Sequence, residues 1–426
     1  MKNKKETLLI LTILITICII IFNRDKLYEA KYTEPKDTLL AITINGEIST
    51  TFPTTAAYET SVECTTGTGK VEWNGTKWVL TTSGITKGST KCNATFNQTL
   101  RQSILANNEV KTPITTPGAA ISTASEALLA SAVDDYGTSY YFRGAVTNNY
   151  VEFANKCWRI VRISGDGSVK LILHNDNTTK AANPCDSANN SEDAAFARYN
   201  GTTYTSAFNS SYNDNAYVGF KYGTPGSSTY EATHANTNNS TILTNLETWY
   251  TNNLKTYESV IDNSVWCNDK TNVTDTSYNS WGYSNVNGLG YGTNETYYGA
   301  TQRLVSTSGS AGGTGPSLKC NGELSKITSK IGLITTDELA YAGYAVGTGN
   351  TTTYLQENAT DTYWWSLSPV GFGDGRARVW DVYGSIGRLL NYGVRITSGL
   401  RPSISLKSTT NATGNGTSDS PFIISM

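Results

Sequence analysis

From residue 39 to residue 96 apolar and polar side chains alternate in short runs broken by turn residues, and a period of two predicts strands. Residues 40–44 lead into Asn45-Gly46, a dipeptide that favours a tight hairpin. Further strands are expected at 58–64, 70–73, 77–82 and 89–96, with a second tight turn at Asn74-Gly75 between Trp73 and Trp78. These runs predict one small antiparallel β-module over residues 38–98. Residues 99–135 read as a linker, marked by Pro113, Pro117 and Gly118, with a short helix over 122–132 capped by Ser122.

A larger α+β domain with few helices and long loops is expected over residues 136–426. Residues 140–144 and 150–153 suggest a hairpin about Asn148-Asn149, and strands 156–163 and 169–173 are joined by Gly165-Asp166-Gly167. Residues 241–257 carry Ile242, Leu243, Leu246, Trp249, Tyr250 and Leu254 at helical spacing, with Ser240 placed to cap them. A strand at 330–335 is expected to enter a helix at Thr336, and strands are expected at 376–383, 403–406 and 421–424.

The N-terminus changes the picture of where the chain works. Lys2, Lys4 and Lys5 precede a charge-free run of 16 residues from 7 to 22, followed by Arg24, Asp25 and Lys26. That order predicts an uncleaved signal anchor in a cell membrane, with residues 25–37 as a stalk and the bulk of the chain extracellular. Cysteine usage agrees: apart from Cys18 the chain has Cys64, Cys92, Cys157, Cys185, Cys267 and Cys320, an even set suited to disulfides outside the cell. Six cysteines allow fifteen connectivities, of which sequential pairing is the natural guess. Lys and Arg total 33 against 35 Asp and Glu, so no net positive charge points to a nucleic-acid partner.

Candidate chemistry is sparse. His174 and His234 are the only histidines and neither sits in a nucleophile or metal motif. The Gly-Asp-Gly triplets at 165–167 and 373–375 lack the long ligand run of a calcium loop and read as turns. Asp337 and Glu338 at a predicted helix start are explained by capping. No catalytic residue, metal site or cofactor is therefore assigned. Residues 363–406 hold three Trp and five Arg among strong strand signals, and alternation puts Arg376, Arg378 and Trp380 on one face. With Tyr383, Arg388, Asn391 and Tyr392 they form the expected ligand-binding surface, because guanidinium forks and aromatic faces suit sugars or carboxylates.

Residues 135–140 (DYGTSY), 157–162 (CWRIVR), 232–236 (ATHAN), 266–269 (WCND), 331–338 (IGLITTDE), 364–369 (WWSLSP) and 400–402 (LRP) resemble an uncharacterised domain of Gram-positive surface proteins. More remotely, they resemble the C-type-lectin-like scaffold shared by formylglycine-generating-enzyme relatives and variable bacterial ligand-binding proteins. That resemblance implies a ligand-facing surface on the C-terminal strands and a Gly-x-Arg motif that closes the fold, a spacing found at 393–395 and 399–401. It also implies scaffold roles for Trp364, Trp365, Pro369, Arg401 and Pro402. The close cysteine pair of the copper-dependent relatives and the sugar-binding loops of the calcium lectins are both missing. The expectation is a membrane-anchored surface protein that binds an extracellular glycan, peptide or protein without catalysis. The rivals are an enzyme acting on wall or secreted material and a structural subunit of a surface assembly.

Overall fold

A computed structural model describes residues 38–54, 58–281, 285 and 288–424. The expected anchor and stalk lie outside the described residues, among which no helix is long and apolar enough to cross a membrane. The chain divides into two compact units, residues 1–98 and 99–426.

In the first unit β1 (Thr38–Ile44), β2 (Glu47–Ser49), β3 (Glu59–Cys64) and β6 (Thr90–Asn97) form a sheet in the order β2-β1-β6-β3. A hairpin of β4 (Thr68–Trp73) and β5 (Trp78–Ser83) turns at Asn74, whose Oδ1 accepts from the Thr76 and Lys77 amides. Trp73 and Trp78 meet edge to face across that turn at 5.5 Å. The expectation of a wholly antiparallel module is corrected here. β1 and β6 run parallel, Thr38 opposite Thr90 through Ile44 opposite Phe96, because the strands between them supply the long crossover a parallel pair needs. Among the described residues Ile42, Val71, Trp78, Ala94 and Phe96 form its buried cluster, and the Cys64–Cys92 disulfide joins β3 to β6.

The second unit is mostly β-sheet with five helices among the described residues. Its first sheet contains β7 (Ala127–Asp134), β8 (Gly137–Gly144), β9 (Tyr150–Phe153), β10 (Lys156–Ile163) and β11 (Val169–Asn175). β10 and β11 are buried at every residue, so this sheet is covered on both sides. Its second sheet includes β12 (Thr205–Ala207), β13 (Trp364–Gly373), β14 (Arg376–Tyr383), β15 (Arg388–Gly393) and β16 (Thr397–Gly399), in the order β12-β16-β13-β14-β15. The helix Thr241–Asn253 buries Ile242, Leu243, Leu246, Trp249 and Tyr250, and the Ser240 hydroxyl caps it by accepting from the Leu243 amide.

Several local expectations fail for identifiable reasons. Residues 122–132 are not a helix, since β7 pairs with β8 along its whole length and that ladder overrides alanine's helix preference. A helix does form at Leu100–Ala106, where Thr99 and Gln102 build a capping box. β8 and β9 are not a hairpin. Both pair with β10, β8 at Arg162 and Ile163 and β9 from Lys156 to Arg159. Residues 330–335 make only an isolated bridge at Gly332, where a Cβ would collide with the Trp266 ring.

Candidate functional site

The seven residues expected to share a surface divide between the two faces of the second sheet. Register pairs Trp380 with Asn391, Val379 with Tyr392 and Tyr383 with Arg388. Alternation therefore puts Arg376, Arg378, Trp380 and Asn391 on one face and Tyr383, Arg388 and Tyr392 on the other. Arg378 Nη1 reaches Asn391 Oδ1 at 3.4 Å, as neighbours on one face should. Trp380 is fully buried and its ring packs on Trp281 at 5.4 Å, so it offers no surface to a ligand. Arg376 and Arg388 are exposed, and Arg378 lies 3.9 Å from exposed Asp374, a weak surface pair. The strand alternation was legible, but the register of the next strand was not.

The other face carries an arrangement the sequence did not reveal. Tyr363, just before β13, stacks on Tyr383 with ring centroids 4.5 Å apart and planes 4° from parallel. Its ring also meets Tyr392 edge to face at 5.1 Å. Tyr383 and Tyr392 lie on opposite sides of the row that holds Asp381, which pairs with Trp365 on β13 and Leu390 on β15. Tyr363 touches both of these rings across the Asp381 row and lies close enough to feel the Asp381 charge. All three rings are half-buried, whereas Asp381 is fully buried.

Among the described residues no other residue donates to either Asp381 carboxylate oxygen, which has only its own backbone amide nearby, and no cation pairs with them. Burial pushes this carboxyl well above the ordinary aspartate value of 3.8. On the same face, the buried Ser398 hydroxyl also lacks a partner. A carboxyl raised on folding makes the folded state bind the extra proton, so stability falls as pH rises from about 4 towards the raised value. Asp381→Asn removes that titration. We expect the variant to be about 2 kcal/mol more stable than the parent at pH 8 and indistinguishable at pH 4, read by urea denaturation. An equal gain at both pH values would exclude ionisation as the cause.

A second cluster lines a small cleft between β7, β10, the strand Ser264–Cys267 and the helix Thr336–Ala342. Its volume of about 40 Å³ holds two or three waters and no sugar ring. Glu338 Oε1 accepts from Arg162 Nε at 2.8 Å and Lys170 Nζ at 2.6 Å, and Arg162 Nη1 also reaches Asp134 at 2.9 Å. Arg303 bridges Asp337, at 2.7 and 2.8 Å, and Asp269, at 2.6 Å. Burial opposes ionisation of Glu338, but Lys170 and Arg162 outweigh it and hold its carboxyl down at about 2. Glu338 also completes the capping box with Thr335. Asp134, Asp269, Asp337 and Glu338 are thus each paired with a cation, while the fifth carboxylate of the lining, exposed Asp135, accepts from the Cys320 amide at 3.0 Å.

His174 and His234 are fully buried, and burial holds both rings neutral, His234 down to about 3 with help from Lys270. Among the described residues no group of His, Cys, Asp and Glu side chains is arranged to hold a metal ion. The disulfides are Cys64–Cys92, Cys157–Cys185 and Cys267–Cys320, the sequential pairing. The last forms part of the cleft wall. No protein-family model matches the chain, and no curated protein or solved structure matches it.

Proposed function

We propose that this chain is a membrane-anchored cell-surface protein whose second unit binds an extracellular glycan, peptide or protein without catalysis, on a C-type-lectin-like arrangement of strands. The observation that carries this reading is the cluster of Tyr363, Tyr383 and Tyr392. It is half-exposed, mounted on adjacent strands of a covered sheet, and backed by a buried carboxyl. Rigid aromatic faces contribute contact area at little cost in side-chain entropy, which suits recognition. Among the described residues lining the cleft only Asp135 stands outside an ion pair, and it accepts from the Cys320 amide, so the cleft holds no pair of free acids, which favours this reading over an enzyme acting on wall material.

The test is a glycan and peptide array screened with the purified full chain and with a Tyr383→Ala/Tyr392→Ala variant. We expect the double variant to lose at least about tenfold in apparent affinity for any ligand found, the equivalent of one aromatic contact or more. Undiminished binding by that variant, together with loss in Arg376→Ala/Arg378→Ala, would move the site to the opposite face and sink the assignment.

A further inference from the structure

We propose that the buried Asp381 carboxyl receives an ammonium group, and that Tyr363, Tyr383 and Tyr392 form the aromatic gate through which it enters. This inference rests on the binding role proposed above and names the chemistry of the ligand's leading end.

The argument begins with cost. A carboxyl removed from water without a donor or cation is unfavourable by several kcal/mol if ionised. The fold does not require one at this position: Val379 and Val382 of the same strand, together with Trp365 and Leu390 opposite, build ordinary sheet packing around it. Elsewhere the second unit pairs its buried carboxylates with care. Glu126 meets Arg143 at 3.0 Å, Asp176 meets Lys156 at 2.8 Å, and the buried cleft carboxylates Asp134, Asp269, Asp337 and Glu338 all have cations. Asp214, another buried carboxylate without a cation, accepts instead from the Ala216 and Gly226 amides, whereas Asp381 has no donor beyond its own amide, and the partner it lacks is a cation.

The three rings point the same way. Tyrosine rings present negative faces, and a cation passing over them is attracted before it reaches the carboxylate. The stacked Tyr363–Tyr383 pair has no space between its rings, so access depends on Tyr392, which meets Tyr363 edge to face and through a side-chain hydrogen bond. Entry therefore requires that bond to break and the half-buried Tyr392 side chain to rotate. By register the sheet puts Tyr363, Tyr383, Tyr392, Trp365, Leu390 and, in the neighbouring row, Ser398 on the Asp381 face, and among the described residues no cation pairs with the carboxyl. Arg388 lies further out on the same face opposite Tyr383 and is exposed. Its charge repels a polycation, so the ammonium is carried by a ligand otherwise neutral or anionic. Because the empty carboxyl is held protonated by burial, arrival of the cation ionises it and releases a proton.

Titration calorimetry of the full chain at pH 7, in two buffers of different ionisation enthalpy, tests this with butylammonium and tetramethylammonium as probes and N-acetylglucosamine as a neutral control. We expect saturable binding of an ammonium probe in the millimolar range, with about one proton released per ligand, and a loss of about tenfold or more in Asp381→Asn. Circular dichroism of Asp381→Asn must match the parent. No saturable ammonium binding, or equal binding by the parent and Asp381→Asn, overturns the inference. Should a neutral array ligand depend on Tyr383 and Tyr392 but not on Asp381, the binding surface stands and the ammonium assignment falls. Should no ligand depend on the tyrosines, both fall.

Discussion

Glu338→Ala is expected to lower the stability of the second unit by about 3–5 kcal/mol at pH 7, the cost of leaving buried cations without their shared anion. Lys170 loses its only carboxylate, Arg162 keeps Asp134 alone, and the helix Thr336–Ala342 loses half of its capping box. Lys170 is 4% exposed in its side chain and Arg162 11%, so water cannot replace the lost partner. The same site sets an acid limit. Glu338 ionises more readily folded than unfolded, from an ordinary 4.5 down to about 2. Its contribution is thus complete above about pH 4.5 and is lost as pH falls towards 2, amounting to about 3 kcal/mol. Urea denaturation of parent and variant at pH 7, 4 and 2.5 reads both effects. If the gap between the two proteins does not narrow on acidification, the ion-pair account is wrong.

The second large effect concerns the first unit. Reduction of Cys64–Cys92, or Cys64→Ala/Cys92→Ala, should unfold it at 37 °C while leaving the second unit folded. A bridge between residues 28 apart contributes about 3–4 kcal/mol on the chain-entropy estimate. The small fully buried cluster of this unit leaves little reserve beyond that. The second unit has an extensive core, and its Cys157–Cys185 bridge is buried from reductant. Hydrogen exchange resolves the two cases within one molecule. Amides of β1 to β6 should exchange freely after mild reduction, and those of β10 and β11 should stay protected. Retained protection in β6 would show that the first unit holds without its bridge.

What could be read from the sequence follows from which physical signals are local. The helix Thr241–Asn253 and the strands Arg376–Tyr383 and Ser403–Leu406 announce themselves because their periodicity or strand preference lies within one segment. The capping box of Thr99 and Gln102 was equally local and was passed over, hidden by the neighbouring prolines and glycine. Pairing is a different matter. That β1 runs parallel to β6, and that β8 and β9 both lie against β10, depends on partners remote in sequence. The candidate site fell to the same limit. The strand Arg376–Tyr383 was read correctly, but the strand Arg388–Gly393 was not, and a hairpin's register decides which residues of two strands look the same way. Nothing in the sequence marks Asp381 out from its neighbours on the strand. Its isolation emerges only when the rings of Tyr363, Tyr383 and Tyr392 are seen to meet across its row.

The parallel pairing of β1 with β6 has a mechanical consequence. These are the first and last strands of their unit, and seven residue pairs join them side by side. Tension applied between the chain before Thr38 and the chain after Gln98 draws the two strands in opposite directions along their own axes. The hydrogen bonds between them then bear the load together in shear, instead of opening one at a time as in a hairpin pulled from its ends. A unit of modest thermodynamic stability can in this geometry resist brief pulling forces far better than its size suggests, a useful property in any segment that links a tethered base to a surface held by its ligand.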